Sequence, residues 1–311
     1  MYPIKLKAPC KDYIWGGNRL RTDFYKVSDK DKIAETWELS CHPDGESIII
    51  NGEFKGKTLS EYIKINGEKV IGTNFKGGDF PILIKFIDAK DNLSVQVHPN
   101  DDYAKRVEKS LGKTEMWYVI DCEEGASLVC GFKGSPSNEE IRKSIQDDTI
   151  MDLLNSVPVK KGDVFFIEAG TVHAIGKNIL IAEIQQNSNT TYRLYDFGRG
   201  REVHIDKSLD VIDTNLGKAT PQYETNQFDN YSVRKLVECD YFKTYLFKIG
   251  TEFKSTVNDD TFHSLTFLDG NGILKYSNSQ IDVRKGDSIF IPANFGNYEI
   301  IGDIEYILST I

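Results

Sequence analysis

The sequence predicts a mostly β fold of the sandwich or barrel type, organised in two units. Three observations point there. Short apolar or alternating runs, set apart by Gly, Asn and Asp turns, dominate the pattern. One strand-and-turn segment recurs in each half, and the length of 311 residues exceeds what a single hydrophobic core usually organises.

Taken in chain order, Leu59 to Ile65 reads as a short helix and Phe80 to Ile87 as the first strong strand. Asp101 to Ser110 has a helical pattern, capped by Asn100 or Asp101. A strand over Met116 to Asp121 follows, then a helix over Ser137 to Ile145, where Ser137 and Glu140 make a capping-box pattern. Strands are expected at Asp163 to Ile167, Ile179 to Gln185, Tyr241 to Ile249, Ser264 to Leu268 and Ser288 to Ile291. Residues 216–230 are polar, lack periodicity and carry Pro221, so they read as the connection between a larger unit, 1–215, and a smaller one, 231–311.

The echo between the halves pairs Gly162-Asp163-Val164-Phe165-Phe166-Ile167-Glu168-Ala169 with Gly286-Asp287-Ser288-Ile289-Phe290-Ile291-Pro292-Ala293. In each, Gly-Asp supplies a turn, an apolar strand follows, and a second turn comes at the same offset.

Composition narrows the function classes. The net charge is −9 and no Lys/Arg-rich run occurs, which argues against a nucleic-acid or anionic-membrane surface. No stretch reaches the ~18 apolar residues of a membrane span, and Met1 to Lys11 contains no signal-like apolar segment, so a cytoplasmic location is expected. The five cysteines, Cys10, Cys41, Cys122, Cys130 and Cys239, are scattered without a C-x-x-C pair and read as reduced thiols.

The chemistry-bearing residues are few. Of the five histidines, His98 follows Gln96 at i+2, a spacing that puts both side chains on one face of a strand. Glu115 opens a strand in Lys113-Thr114-Glu115-Met116-Trp117, and His173 stands just past another strand in Gly170-Thr171-Val172-His173. Two imidazoles, a carboxylate and an amide carbonyl form a divalent-metal set without thiolate, which suits zinc first and then iron or manganese; a set with an open position is of the catalytic kind. Lys85 is a charged residue inside the apolar run Leu83-Ile84-Lys85-Phe86, a context that favours a lysine able to act as a base, although a strand-end lysine reaching to water gives the same pattern. Lys113 is the other cationic candidate, and Arg193 offers a permanent cation with a planar fork. Trp15 and Trp37 suit either a sugar-stacking wall or the core.

These residues carry a family resemblance. Gly162-x5-Glu168-x-Gly170-x2-His173 resembles the second cupin motif, and Gln96-x-His98 with Glu115 resembles the first, stretched by an inserted helix. Gln96-Val97-His98-Pro99, Lys113-Thr114-Glu115-Met116-Trp117, Gly170-Thr171-Val172-His173 and Tyr192-Arg193-Leu194-Tyr195-Asp196-Phe197-Gly198-Arg199 together resemble type I mannose-6-phosphate isomerases in their short bacterial form. Tyr13-Ile14-Trp15-Gly16-Gly17 and Glu35-Thr36-Trp37-Glu38-Leu39-Ser40 fit the same family, and the likeness runs from about Tyr13 to Arg199, then more weakly to the C-terminus.

The resemblance implies two cupin-type (jelly-roll) β-barrels with a few short inserted helices. It implies one Zn2+ per chain held by Gln96, His98, Glu115 and His173, with Lys85, Lys113 and Arg193 as catalytic and substrate-binding residues. The implied reaction moves a proton between C1 and C2 of a small phosphorylated sugar. In the C-terminal copy Asn297 stands where His173 stands in the first, so no metal is expected there through this motif. A monomer or homodimer without nucleic-acid or membrane partners is the expected assembly. A metal-dependent cupin enzyme of another class and a non-catalytic sugar-binding cupin are the competing readings.

Overall fold

The computed structural model describes residues 1–217, 220 and 222–311; Pro221 of the expected connection lies outside the described residues. The chain divides into two compact units that are not consecutive in sequence. One comprises Met1–Asp12, Asn18–Phe86 and Gln222–Ile311, the other Tyr13–Gly17 and Ile87–Pro221. Strands far outweigh helices in the first unit and exceed them in the second, in line with the patterning.

The first unit is built on a ten-stranded antiparallel sheet whose longest members are His263–Tyr276 and Gly296–Thr310. Its apolar face, with Leu265, Phe267, Leu274, Ile289, Ile291, Ile300, Tyr306 and Leu308, makes a continuous core. The expected strand Ser264 to Leu268 is only the beginning of His263–Tyr276. Within the expected connection the structure forms a further strand, Thr225–Gln227, paired with Tyr231–Glu238; its side chains are all exposed, so no buried face marks it in the sequence.

The second unit holds a five-stranded sheet in the order Tyr192–Tyr195, Val95–Val97, His173–Ala174, Ser127–Phe132, Leu154–Pro158. A separate set places Glu115–Cys122 between Val164–Ile167 and Ile179–Gln186. Among the described residues these sheets stay open and do not close into barrels, an arrangement consistent with a jelly roll. Val95, Val97, Ala174, Tyr192 and Leu194 turn to a core shared with Ile141 and Leu209 of the helices Asn138–Gln146 and Ile205–Val211. The alternation of a strand therefore sends Gln96, between Val95 and Val97, to the opposite face.

Helix boundaries follow local chemistry. Asn100 caps Asp101–Val107 by accepting the Tyr103 N–H at 3.0 Å, and Lys109, at φ 54, ends the run short of Ser110. Ser137 with Glu140, and Thr58 with Glu61, both complete capping boxes, which fixes the starts of Asn138–Gln146 and Leu59–Asn66. The strand expected from Phe80 begins at Ile82, after Pro81, which has no N–H for a ladder.

The echo is expressed in the backbone. Gly162 and Gly286 have φ 91 and φ 85, the strands Val164–Ile167 and Ser288–Ile291 follow, and Gly170 and Asn294 at the same offset again take positive φ. His173 is fully buried, whereas Asn297 is exposed and accepts a hydrogen bond from Thr256 at 2.7 Å. Among the described residues no helix is long and apolar enough to cross a membrane, and all five cysteines are free thiols.

Candidate metal centre and active site

Two sheet rows in the second unit assemble the candidate site. Across the five-stranded sheet His173 pairs with Gln96, and Gln96 pairs with Arg193, so the three side chains share one face. In the other set Glu115 pairs with Gln185 and Trp117 with Glu183, which makes a second polar face on strands whose residues are nearly all buried.

His98, Glu115 and His173 converge, with one ligand atom from each within 4.8 Å of the others. His98 Nε2 lies 3.7 Å from Glu115 Oε2, and His173 Nε2 lies 3.5 Å from Glu115 Oε1. The Gln96 amide reaches His173 Nε2 at 3.2 Å, and a half-turn of the amide brings its carbonyl oxygen to the same point.

The outer ring nitrogens fix the inner ones. His98 Nδ1 is 2.9 Å from the Thr190 carbonyl and His173 Nδ1 is 2.9 Å from the Thr171 carbonyl. A carbonyl only accepts, so each Nδ1 carries the hydrogen, and in the neutral form of each ring the lone pair of Nε2 points inward. Burial pushes His173 down to about 4, which keeps it neutral at pH 7. Two inward lone pairs, a buried carboxylate and an amide oxygen fit a divalent ion that accepts nitrogen and oxygen, and the backbone carbonyls behind the imidazoles are the usual supports of metal-bound histidine.

Lys113 is buried beside this cluster, with Nζ 2.9 Å from Glu115 Oε2 and 3.9 Å from Glu183 Oε1. Arg193 Nη1 donates to the Glu202 carbonyl at 2.6 Å, while its buried Nε has no hydrogen-bond partner among the described residues. Asp196 pairs instead with Arg199 and Arg201. Lys85 is placed in the first unit on Ile82–Ala89, only 4% exposed, 3.9 Å from Glu35 and 5.3 Å from the centre of the Trp37 ring. Sequence reasoning missed Glu183, Gln185 and Glu35. The readable signal was the one that marked Lys85: an ionisable or amide group inside an otherwise apolar run, here Ile179-Leu180-Ile181-Ala182-Glu183-Ile184-Gln185.

Fold and site together define a jelly-roll protein with a candidate mononuclear metal centre. Residues 4–133 match the model of the type I phosphomannose isomerase catalytic domain, and residues 232–311 that of the mannose-6-phosphate isomerase cupin domain. The mannose-6-phosphate isomerase of Streptococcus mutans is 40% identical over 316 aligned residues, covering 99% of this chain and 98% of its own length. The crystal structure of the Bacillus subtilis mannose 6-phosphate isomerase matches with a TM-score of 0.94 at 34% identity, covering both chains completely. At the level of fold alone, a mannose 6-phosphate isomerase crystallised with zinc and yttrium matches with a TM-score of 0.77 at 17% identity over 99% of each chain. The chain belongs to the mannose-6-phosphate isomerase family and is an aldose-ketose isomerase.

Proposed function

We propose that this chain interconverts D-mannose 6-phosphate and D-fructose 6-phosphate by moving a proton between C1 and C2 through an enediol(ate), with one Zn2+ held by Gln96, His98, Glu115 and His173. The observation that carries the reading is the convergence of two Nδ1–H imidazoles on one buried carboxylate, with an amide beside them. When bound, zinc would supply a Lewis acid for the sugar oxygens and for the negative charge that develops as the proton leaves.

The remaining work falls to the chain's own side chains. Arg193 shares the face of Gln96 and His173, and its fork suits the phosphate or the enediolate oxygens. Lys113, held against the cluster, adds a second cation where charge develops, and Lys85 is the third cationic residue we assign to substrate. The catalytic part is residues 1–215, with 216–230 as connection and 231–311 as a cupin-like part without a metal site. The substrate is a small phosphorylated sugar, the setting is the cytoplasm, and the assembly is a monomer or homodimer.

The test is a coupled assay of fructose 6-phosphate formation from mannose 6-phosphate, run before chelation, after chelation and after zinc return, with His98→Ala as control. Turnover that chelator abolishes, zinc restores and His98→Ala lacks is the expected result. A zinc-loaded protein without turnover would remove the assignment.

A further inference from the structure

The two buried lysines assigned to substrate share one feature: each lies 3.9 Å from a carboxylate that an indole N–H holds, Lys113 having in addition the closer Glu115 oxygen at 2.9 Å. In the first unit the Trp37 indole N–H donates to Glu35 Oε2 at 2.9 Å, and the same Glu35 oxygen lies 3.9 Å from Lys85 Nζ. In the second unit the Trp117 indole N–H donates to Glu183 Oε2 at 2.9 Å, and Glu183 Oε1 lies 3.9 Å from Lys113 Nζ. All six residues are less than a tenth exposed.

The backbone routes differ. Glu35 and Trp37 stand at i and i+2 on one strand, whereas Glu183 and Trp117 face each other across two paired strands. Two unrelated routes that end in the same tryptophan, carboxylate and lysine order argue for a shared task. An indole N–H only donates, so it fixes the carboxylate and leaves the lysine's three donors alone. The last torsion of a glutamate is soft and nearly two-fold, so the indole selects one setting of the oxygens that face the ammonium.

We propose that Trp37 and Trp117 are positioning residues for isomerisation: each indole locks one carboxylate, Glu35 or Glu183, and that carboxylate sets where Lys85 or Lys113 presents its ammonium to the substrate. The proposal rests on the reading that both lysines meet substrate. Trp37 also lies under the ammonium of Lys11 at 4.4 Å, and the Trp117 ring meets the His173 ring edge-on at 5.3 Å, so a purely packing role is the alternative to be separated.

The experiment uses zinc-loaded full-length protein and measures kcat/KM for mannose 6-phosphate, zinc content and Tm. Trp37→Phe, Glu35→Gln and their double variant form one cycle; Trp117→Phe, Glu183→Gln and theirs form the other. Each Trp→Phe change should lower kcat/KM roughly tenfold with zinc content unchanged, the scale typical of outer supports of a site. Each double variant should be no worse than its Glu→Gln parent, because the deleted N–H acts only through the carboxylate while Phe keeps an aromatic face beside Lys85. If a Phe variant does not fold, the near-isosteric benzothienylalanine, which carries sulfur in place of the indole N–H, replaces that tryptophan and must show the same loss. Full activity in either form, losses that multiply in the double variants, or zinc loss in Trp117→Phe would overturn the proposal. Lys85→Met and Lys113→Met keep the two levels apart. If both remain active the reading of the site fails; if both are inactive while the tryptophan variants are unaffected, only the positioning role fails.

Discussion

Replacing Lys113 by Met tests whether the cluster exchanges one cation for another. Lys113 is 4% exposed, with Nζ 2.9 Å from Glu115 and 3.9 Å from Glu183, both also buried. Met keeps most of the apolar stem and deletes the charge, which leaves two buried carboxylates without this ammonium. Removing one partner of a buried pair costs about 3–5 kcal/mol. At this chain length that is about 2 °C per kcal/mol, so the metal-free variant should melt about 6–10 °C below metal-free wild type. A divalent ion seated among His98, Glu115 and His173 returns positive charge to the same carboxylate, so in the zinc-loaded pair the gap should shrink to about 2 kcal/mol or less. Differential scanning calorimetry of both proteins, stripped and zinc-loaded, reads this directly. Equal gaps in the two states would refute the reasoning, because the lysine charge and the metal charge would then not be acting on one carboxylate.

Glu38 is fully buried and accepts from Lys26, Thr36 and Ser288, each at 2.6 Å. Lys26→Met should destabilise the first unit by about 3–5 kcal/mol, and adding Glu38→Gln should recover most of that; chemical denaturation of the two variants checks it. His263 stands 3.0 Å from the Tyr298 hydroxyl, and burial pushes it down to about 4 from its ordinary value of 6.5. Its folded form resists protonation, so the stability it contributes is complete above pH 6.5 and declines as pH falls toward 4. Between pH 7 and pH 5 the loss should be about 2 kcal/mol. Urea titrations of wild type and His263→Asn at the two pH values should show that much less pH dependence in the variant; parallel curves would be evidence against it.

What could be read from the chain was whatever period and turn chemistry encode. The strand over Ser288 to Ile291 and the helix starts at Ser137 and Asn100 follow from an apolar run set between turns and from capping, because those signals lie within a few residues of the structure they produce. Gln96 and His98 could be paired for the same reason. What joins them to Glu115 and His173 is strand order, and neither the pairing of His173 with Gln96 nor that of Glu183 with Trp117 leaves a local trace. The family resemblance supplied that missing distance information for the four expected ligands, but said nothing of the carboxylates behind the lysines.

The residues that went unread share one property: each is an ionisable or amide group inside a strand that is buried along its length. Glu35, Glu38 and Glu183 are 8%, 0% and 2% exposed, and all three accept hydrogen bonds from side chains: indoles for Glu35 and Glu183, lysine and hydroxyl groups for Glu38. A buried carboxylate is costly to keep unless other groups hold it, so such a position in an apolar run already implies unseen partners. The Glu35-Thr36-Trp37-Glu38 segment illustrates the rule. Its alternation sends Glu35 with Trp37 toward Lys85, and Thr36 with Glu38 toward Lys26 and Ser288, so one five-residue strand supports the proposed substrate lysine on one face and the sheet of its own unit on the other.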